Sequence, residues 1–450
     1  MKSIRLLWKI ITVAFIASIM VSCSSEGLSD FEQTNQNNKH VVKMELVGNI
    51  VSFDHKLTTK SQTKSTSTSW TDGDKIFIAF HDGTTIIPGE ATYSSSSGWS
   101  VCFDGYLPTG SNLKCEARYF VNATYTSSSL VSLNYNSEIY EDTNATYIYD
   151  NEDLIVTATL SPKTGRIRFT GDSDTKISLT GITTYSSFAP TTNTFSVSKS
   201  LISTVVSSSG STPYIYGYFT DNGRSLGLIG EGYAFTRTCT TEMFNTGESG
   251  RMAIPSENSH NKWRKGLYIK ASGIEFKMVP VAGYSEGFFL MAETETTAAL
   301  YYSVTGSPST SQLPVLIRDF SYQSYFWGFI SALNKESNLK FHLPTLAQWL
   351  YAAKGGNKSQ GFTYAGSNNL NDVAWHSGNC SSVQEVKKKI PNELGLYDMS
   401  GNLEEMTSDY YVCGGGYETS IYSIPTSYHE YSSNDITHGI GFRLSLSTNY

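Results

Sequence analysis

The 450-residue sequence is short of charge: Lys and Arg number 33 against 40 Asp and Glu, the net charge is −7, and charged residues make up only 16%. No basic cluster breaks this balance, which argues against a nucleic-acid partner. The six cysteines include no CxxC pair, so neither a zinc ribbon nor a thioredoxin-like site is expected. The eight histidines include no HxxxH or HxE spacing. Without a spaced acidic partner each reads as a surface or polar-core histidine rather than an iron ligand. Beyond Val21 no apolar run is long enough to cross a bilayer.

Aromatic residues are plentiful, at 13% with 29 tyrosines. Rich in Tyr, Ser, Thr and Gly, the chain suits strands and exposed loops better than helical bundles. Its N-terminus has a different texture. Lys2, Arg5 and Lys9 precede an apolar run from Ile10 to Val21, closed by Ser22-Cys23. That order describes a signal peptide over residues 1–22. The cysteine at the cut resembles the lipobox of bacterial lipoproteins, with Met20 where leucine is usual. The resemblance implies acylation of Cys23 and a lipid anchor at the outer membrane or cell surface. Residues 23–40 are polar with little to bury, and read as a flexible tether.

From 41 to 263 the pattern is all-β. Short alternating runs such as Lys75–Phe80, Arg166–Phe169 and Tyr214–Tyr218 are separated by turn signals at Asp72-Gly73, Asp82-Gly83, Pro108-Thr109-Gly110 and Asn222-Gly223. Many short strands at this spacing predict one or two β-sandwiches. Cys102 and Cys115 flank a turn and could bridge in an oxidising compartment, or remain two buried thiols. SWTDGDKIFIAF (Ser69–Phe80) and LSPKTGRIRF (Leu160–Phe169) resemble the fimbrillin-like domains of Bacteroidetes surface lipoproteins. That likeness implies other fimbrial subunits as partners.

A polar run near Asn261–Lys265 marks the boundary of a second domain, 266–450. Tyr322–Leu333 and Leu346–Ala353 have a helical apolar period, with Thr345 placed to cap the second helix. FHLPTLAQWLYAAKGG (Phe341–Gly356), NDVAWHSGN (Asn371–Asn379), PNELGLYDMSGNLEEM (Pro391–Met406), CGGGY (Cys413–Tyr417) and the terminal GIGFRLSL resemble, in order, the elements of formylglycine-generating (sulfatase-modifying-factor) enzymes. The resemblance implies the α+β fold shared with C-type-lectin-like domains.

The family's chemistry is poorly preserved. Its two oxidase cysteines fall by spacing near Thr419 and Ile424, neither of which is a thiol. Copper held by thiolate needs sulfur there, so copper is not expected, and the scattered histidines give no set of iron ligands either. Leu346, Gln348 and Leu350 stand where the family's helix has glutamates, and Glu404 and Met406 replace tryptophans of its GNVWEW loop. That loop holds calcium in the family, and Asn402 and Glu405 keep the side-chain positions. The resemblance therefore implies a possible calcium site there, calcium preferring oxygen ligands. Gly283-Tyr284-Ser285-Glu286-Gly287 matches the hydrolase nucleophile elbow GxSxG. The apolar Phe288-Phe289-Leu290 that follows reads as strand where the elbow requires a helix, so a glycine-rich turn is expected.

Between Tyr417 and His438, apart from Glu418, Pro425 and Glu430, the chain uses only Tyr, Ser, Thr, Ile, His, Asn and Asp. Changing one adenine of an asparagine codon yields Tyr, His, Asp, Ile, Thr or Ser. Proteins diversified by adenine-mutating retroelements share this alphabet, at the same place before a fixed end. Tyrosine offers contact area at little entropic cost, and Ser and Asn adapt their hydrogen bonds. Tyr417, Tyr422, Tyr428, His429, Tyr431, Asn434, Asp435 and His438 are the candidate ligand contacts, for a protein or glycan. The expected function is a surface lipoprotein or pilus-associated adhesin with a catalytically silent lectin-like domain. The alternatives are an active sulfatase-modifying or iron-dependent sulfur-transfer type oxidase, and a structural fimbrial subunit. Lipid anchoring is directly testable: Cys23→Ala should move the protein from the membrane to the soluble fraction and abolish labelling by a fatty-acid probe. A mutant that still carries the label would refute it.

Overall fold

Alternation of apolar and polar residues along short runs sets the first architecture. The computed structural model describes residues 39–51, 70–104, 113–127, 129–150, 153–171, 174–206, 212–220, 224–240, 244–255, 262–318, 322–420, 424–427, 429–431 and 439–447. Cys23 lies outside these residues. No helix among them is long and apolar enough to cross a membrane.

Seven strands form a closed barrel in the order Lys39–Ile50, Gly98–Asp104, Ile86–Ser94, Lys75–His81, Lys114–Val121, Glu138–Asp150 and Asp153–Pro162. This corrects the expectation that sandwiches make up the whole N-terminal region. The reason lies in the first strand. Its Lys39–Met44 half pairs antiparallel with Gly98–Asp104, and its Met44–Ile50 half pairs parallel with Asp153–Pro162, so the sheet closes on itself. Met44, Ile76, Ile78, Phe80, Val101 and Phe103 fill the interior. Cys102 and Cys115 lie on strands separated by two others in the barrel, and no disulfide joins them.

The strand Lys75–His81 is buried along both faces. Its outward Phe77 packs with Phe120, Ile139 and Phe188, the last from the next unit. That unit is a sandwich. One sheet runs Ser249–Ala253, Gly165–Thr170, Ile215–Phe219, Ile182–Ala189, Leu130–Ser132 and Thr124–Ser127, with Thr194–Ser198 paired to Ile182–Ala189. The other runs Ile202–Val206, Thr175–Thr180, Ser225–Gly230, Tyr233–Thr238 and Arg264–Lys265. Ile167, Phe169 and Ile215 from the first sheet meet Leu179, Leu226 and Leu228 from the second. Arg118 of the barrel locks the joint. Its guanidinium lies 5.3 and 5.6 Å from the Phe188 and Phe195 ring centroids and donates to Glu116 and Asn193.

The C-terminal sheet has the order Leu267–Ala271, Ile274–Val281, Phe289–Ala292, Ser445–Ser447, Phe341–His342. The GYSEG segment is a turn between two antiparallel strands, so the nucleophile-elbow context is absent. Helices Tyr322–Ser337 and Leu346–Ala353 stand where the apolar period places them. Thr345 caps the second in a capping box: its hydroxyl accepts from the Gln348 amide at 3.1 Å, and the Gln348 side chain accepts from the Thr345 amide at 3.0 Å. The core joins Leu267, Leu290, Phe329, Leu333 and Phe442 with Ile229 and Ala234 of the sandwich. Because Ser445–Ser447 inserts beside Phe289–Ala292, the residues around Arg443 lie against those leading to Glu295. The Ala292 amide donates to the Leu444 carbonyl and the Thr296 amide to the Phe442 carbonyl, both at 2.8 Å.

Candidate binding face of the C-terminal domain

Four elements converge beneath the Gly401–Met406 loop. Helix Leu346–Ala353 supplies Trp349, strand Glu404–Met406 supplies Glu405, the segment after Phe289–Ala292 supplies Glu295, and the end of the chain supplies Arg443. All four are almost completely buried. Arg443 donates from Nε to Glu405 Oε2 at 2.6 Å and from Nη2 to Glu405 Oε1. Its remaining bonds go to the Ala292 carbonyl at 3.3 Å and the Tyr397 carbonyl at 3.0 Å. The Trp349 indole N–H donates to Glu405 Oε2 at 2.7 Å. A bidentate guanidinium and an indole thus use both oxygens of one carboxylate.

Asn402 is also fully engaged. Its Nδ2 donates to Glu295 Oε2 at 2.7 Å and to the Gln384 carbonyl at 3.1 Å, and its Oδ1 accepts from the Gln384 amide at 2.9 Å. Glu295 Oε1 accepts from the Leu403 amide at 2.9 Å. These residues do not fit calcium. The ion requires six to eight oxygens turned toward one point, whereas the Glu405 and Asn402 oxygens face protein N–H donors. A dication roughly 5 Å from the Arg443 charge would be repelled by about 7 kcal/mol at an effective dielectric near 20. Among the described residues no group of three or more His, Cys, Asp or Glu could hold a metal.

Burial sets the protonation of this cluster. Glu295 is raised well above the ordinary carboxylate range by burial, then by the nearby Asp398 and Glu405 charges. Burial also pushes Asp398 up to about 6, against the Lys387 amide and the Arg443 charge. For Arg443, burial works against the charge, but Glu405, Glu295 and Asp398 outweigh it and hold its value above the ordinary.

The positions corresponding by spacing to the oxidase cysteines have other work. Thr419 Oγ1 accepts from the Gly416 amide at 2.7 Å and donates to Glu404 at 3.1 Å. Ile424 is buried with Val373 and Ala374. Cys413 is buried, and burial followed by the Glu405 charge pushes its thiol far up, the reverse of an activated nucleophile. His376 is buried too. Its Nδ1 accepts from the Gly378 amide and its Nε2 meets Asn371 Oδ1, each at 3.0 Å. Burial and Lys389 lower its pKa, which favours a neutral structural imidazole.

Of the candidate ligand contacts, Tyr422, Tyr428, Asn434, Asp435 and His438 lie outside the described residues. His429 and Tyr431 are brought together on the exposed strand His429–Tyr431, which pairs with Tyr411–Cys413. Both rings pack edge-on to Tyr411, with centroids 5.5 Å away, and Tyr431 remains 64% exposed. Tyr417 is placed differently. Its amide donates to the Asn402 carbonyl at 2.7 Å, and its hydroxyl interacts with Glu418 and Arg318. Sequence reasoning missed Glu295, Tyr411 and the pair in which Lys389 Nζ lies 4.0 Å from the Trp375 ring centroid.

Residues 298–447 match the sulfatase-modifying factor enzyme 1-like domain. The chain therefore carries a domain of this family at its C-terminal end. It is also similar to chaperone protein LppX of Paenibacillus barcinonensis, 33% identical over 138 residues that cover 24% of this chain and 49% of that protein. The chain thus spans about half the length of this curated relative. Among solved structures, Treponema denticola variable protein 1 is 23% identical with a TM-score of 0.34, over 40% of this chain and 98% of that one. A fimbrial protein from Bacteroides ovatus is 10% identical with a TM-score of 0.27, over 92% and 100%.

The Asp398 carboxyl gives a pH signature. Its folded-state value, about 6, lies above the ordinary 3.8. Its contribution to stability is therefore complete below about pH 4 and lost as pH rises through about 6. Asp398→Asn should raise stability by on the order of 1–3 kcal/mol at pH 8, with the gain fading toward pH 4. A gain in melting temperature that does not depend on pH would show that ionisation of Asp398 is not the cause.

Proposed function

We propose that this chain is a cell-surface lipoprotein or pilus-associated adhesin whose C-terminal domain has exchanged oxidation chemistry for recognition. In this reading residues 417–438 form the contact face for a protein or glycan ligand, and an acylated Cys23 holds the chain at the outer surface. The observation that carries it is a replacement within one segment. Where an oxidase would need its second thiol, Ile424 is packed into an apolar cluster, and five residues later His429–Tyr431 stands exposed. An aliphatic side chain buried at that position supplies neither nucleophile nor metal ligand. An exposed tyrosine braced by a second ring has the character of a recognition anchor.

Two measurements test the two halves of this reading. With copper supplied, the purified chain should not convert the cysteine of a sulfatase-motif peptide to formylglycine, and a mass loss matching that conversion would defeat catalytic silence. For recognition, the chain is screened against glycan and extracellular-protein arrays, and Tyr431→Ala is compared on whatever binds. The substitution should weaken binding by about 1–3 kcal/mol while leaving the melting temperature nearly unchanged, because an exposed ring adds little to the core. Loss of stability with binding retained would assign Tyr431 to the scaffold instead.

A further inference from the structure

We propose that Arg443 is the resident cation of the 402–405 loop, so that the C-terminal domain folds and holds its surface loops without calcium. The family resemblance implies a cation gathering this loop, and in this structure a guanidinium from near the end of the chain occupies the Glu405 carboxylate. Both Glu405 oxygens are taken by the guanidinium, and the second ring of bonds closes through Asn402, Glu295 and Gln384. The arrangement is anchored from both sides: the residues flanking Arg443 are hydrogen-bonded through Phe442 and Leu444 to Thr296 and Ala292. Arg443 is therefore not free to swing out and yield its place to an ion. Glu405 faces one guanidinium, Glu295 meets only N–H donors from Asn402 and Leu403, and Asp398 accepts through Oδ2 from the Lys387 amide at 2.9 Å, while its buried Oδ1 has no hydrogen-bond partner.

The consequence reaches the surface. The Asn402 carbonyl accepts the Tyr417 amide, and the Gly401 amide donates to the Gly414 carbonyl at 2.8 Å. A loop fixed by Arg443 therefore fixes the entry to the 417–438 segment. The proposal concerns how that entry is held, and it stands or falls independently of whether the face binds a ligand.

The test uses the full chain with calcium itself as the probe. The melting temperature should agree within about 1 °C in EDTA and in excess calcium chloride, since a ligand that does not bind the folded state cannot stabilise it. A rise with calcium, a fall with chelator, or stoichiometric calcium binding by calorimetry would each overturn the proposal. A variant pair tests the arginine. Arg443→Met leaves Glu405 buried without its counter-charge and should lower the melting temperature by roughly 5–15 °C. Arg443→Met with Glu405→Gln removes both charges and should recover much of that loss. If the double variant is no more stable than the single one, Arg443 is not the counter-charge and the proposal fails.

Discussion

The C-terminal domain depends on one buried ion pair. Arg443 and Glu405 are 38 residues apart in sequence, and both are almost completely excluded from water. Burying either alone would cost several kcal/mol. The pair is tolerable only because its geometry is bidentate and its remaining donors reach carbonyls at Ala292 and Tyr397. That requirement ties four distant stretches to one point: the final strand, the loop before Glu404–Met406, helix Leu346–Ala353 through Trp349, and the Phe289–Ala292 edge. A fold rich in irregular loops needs such a node, because loops bring few ladder hydrogen bonds of their own.

Local signals were legible and long-range ones were not. Thr345 with Gln348 predicts a helix start from its immediate neighbours, and the structure has the capping box there. The helix beginning at Tyr322 follows from its apolar period, and the turn in GYSEG from its glycines and the strand-like Phe288-Phe289-Leu290 that follows. Barrel closure is another matter. It depends on Met44–Ile50 pairing with Leu154–Leu160, across more than a hundred residues. An alternating strand looks the same from within whether its sheet closes or faces a second one. Glu295 was invisible for a related reason, since its partners Asn402 and Leu403 are 107 and 108 residues away. Glu405 was visible as an oxygen donor, but nothing local distinguishes a carboxylate that meets an ion from one that meets a guanidinium.

The tyrosine-rich segment shows the same division. Its alphabet is the basis of the proposed recognition role, and His429 and Tyr431 are exposed. Its brace does not come from the alphabet. Tyr411 lies on the preceding strand, in the segment SDYYVCGGG, and meets both rings only through antiparallel pairing of Tyr411 with Tyr431 and of Cys413 with His429. Rings already packed edge-on against a neighbour lose less freedom when a partner lands on them.

Preorganisation extends beyond the domain. The sandwich shares Ile229 and Ala234 with the C-terminal core, and the barrel shares Phe77 and Phe120 with the sandwich through Phe188. Polar contacts reinforce both joints. Arg118 reaches Asn193 at one, and at the other Asn338 donates to Ser200 at 3.1 Å. Domains joined only by a linker would let a terminal binding face reorient freely, and each encounter would carry that orientational cost. Shared apolar cores remove much of that freedom before any ligand arrives. If the 417–438 segment binds as proposed, rigidity at the joints and rigidity at the Arg443–Glu405 pair beneath the 402–405 loop serve the same end.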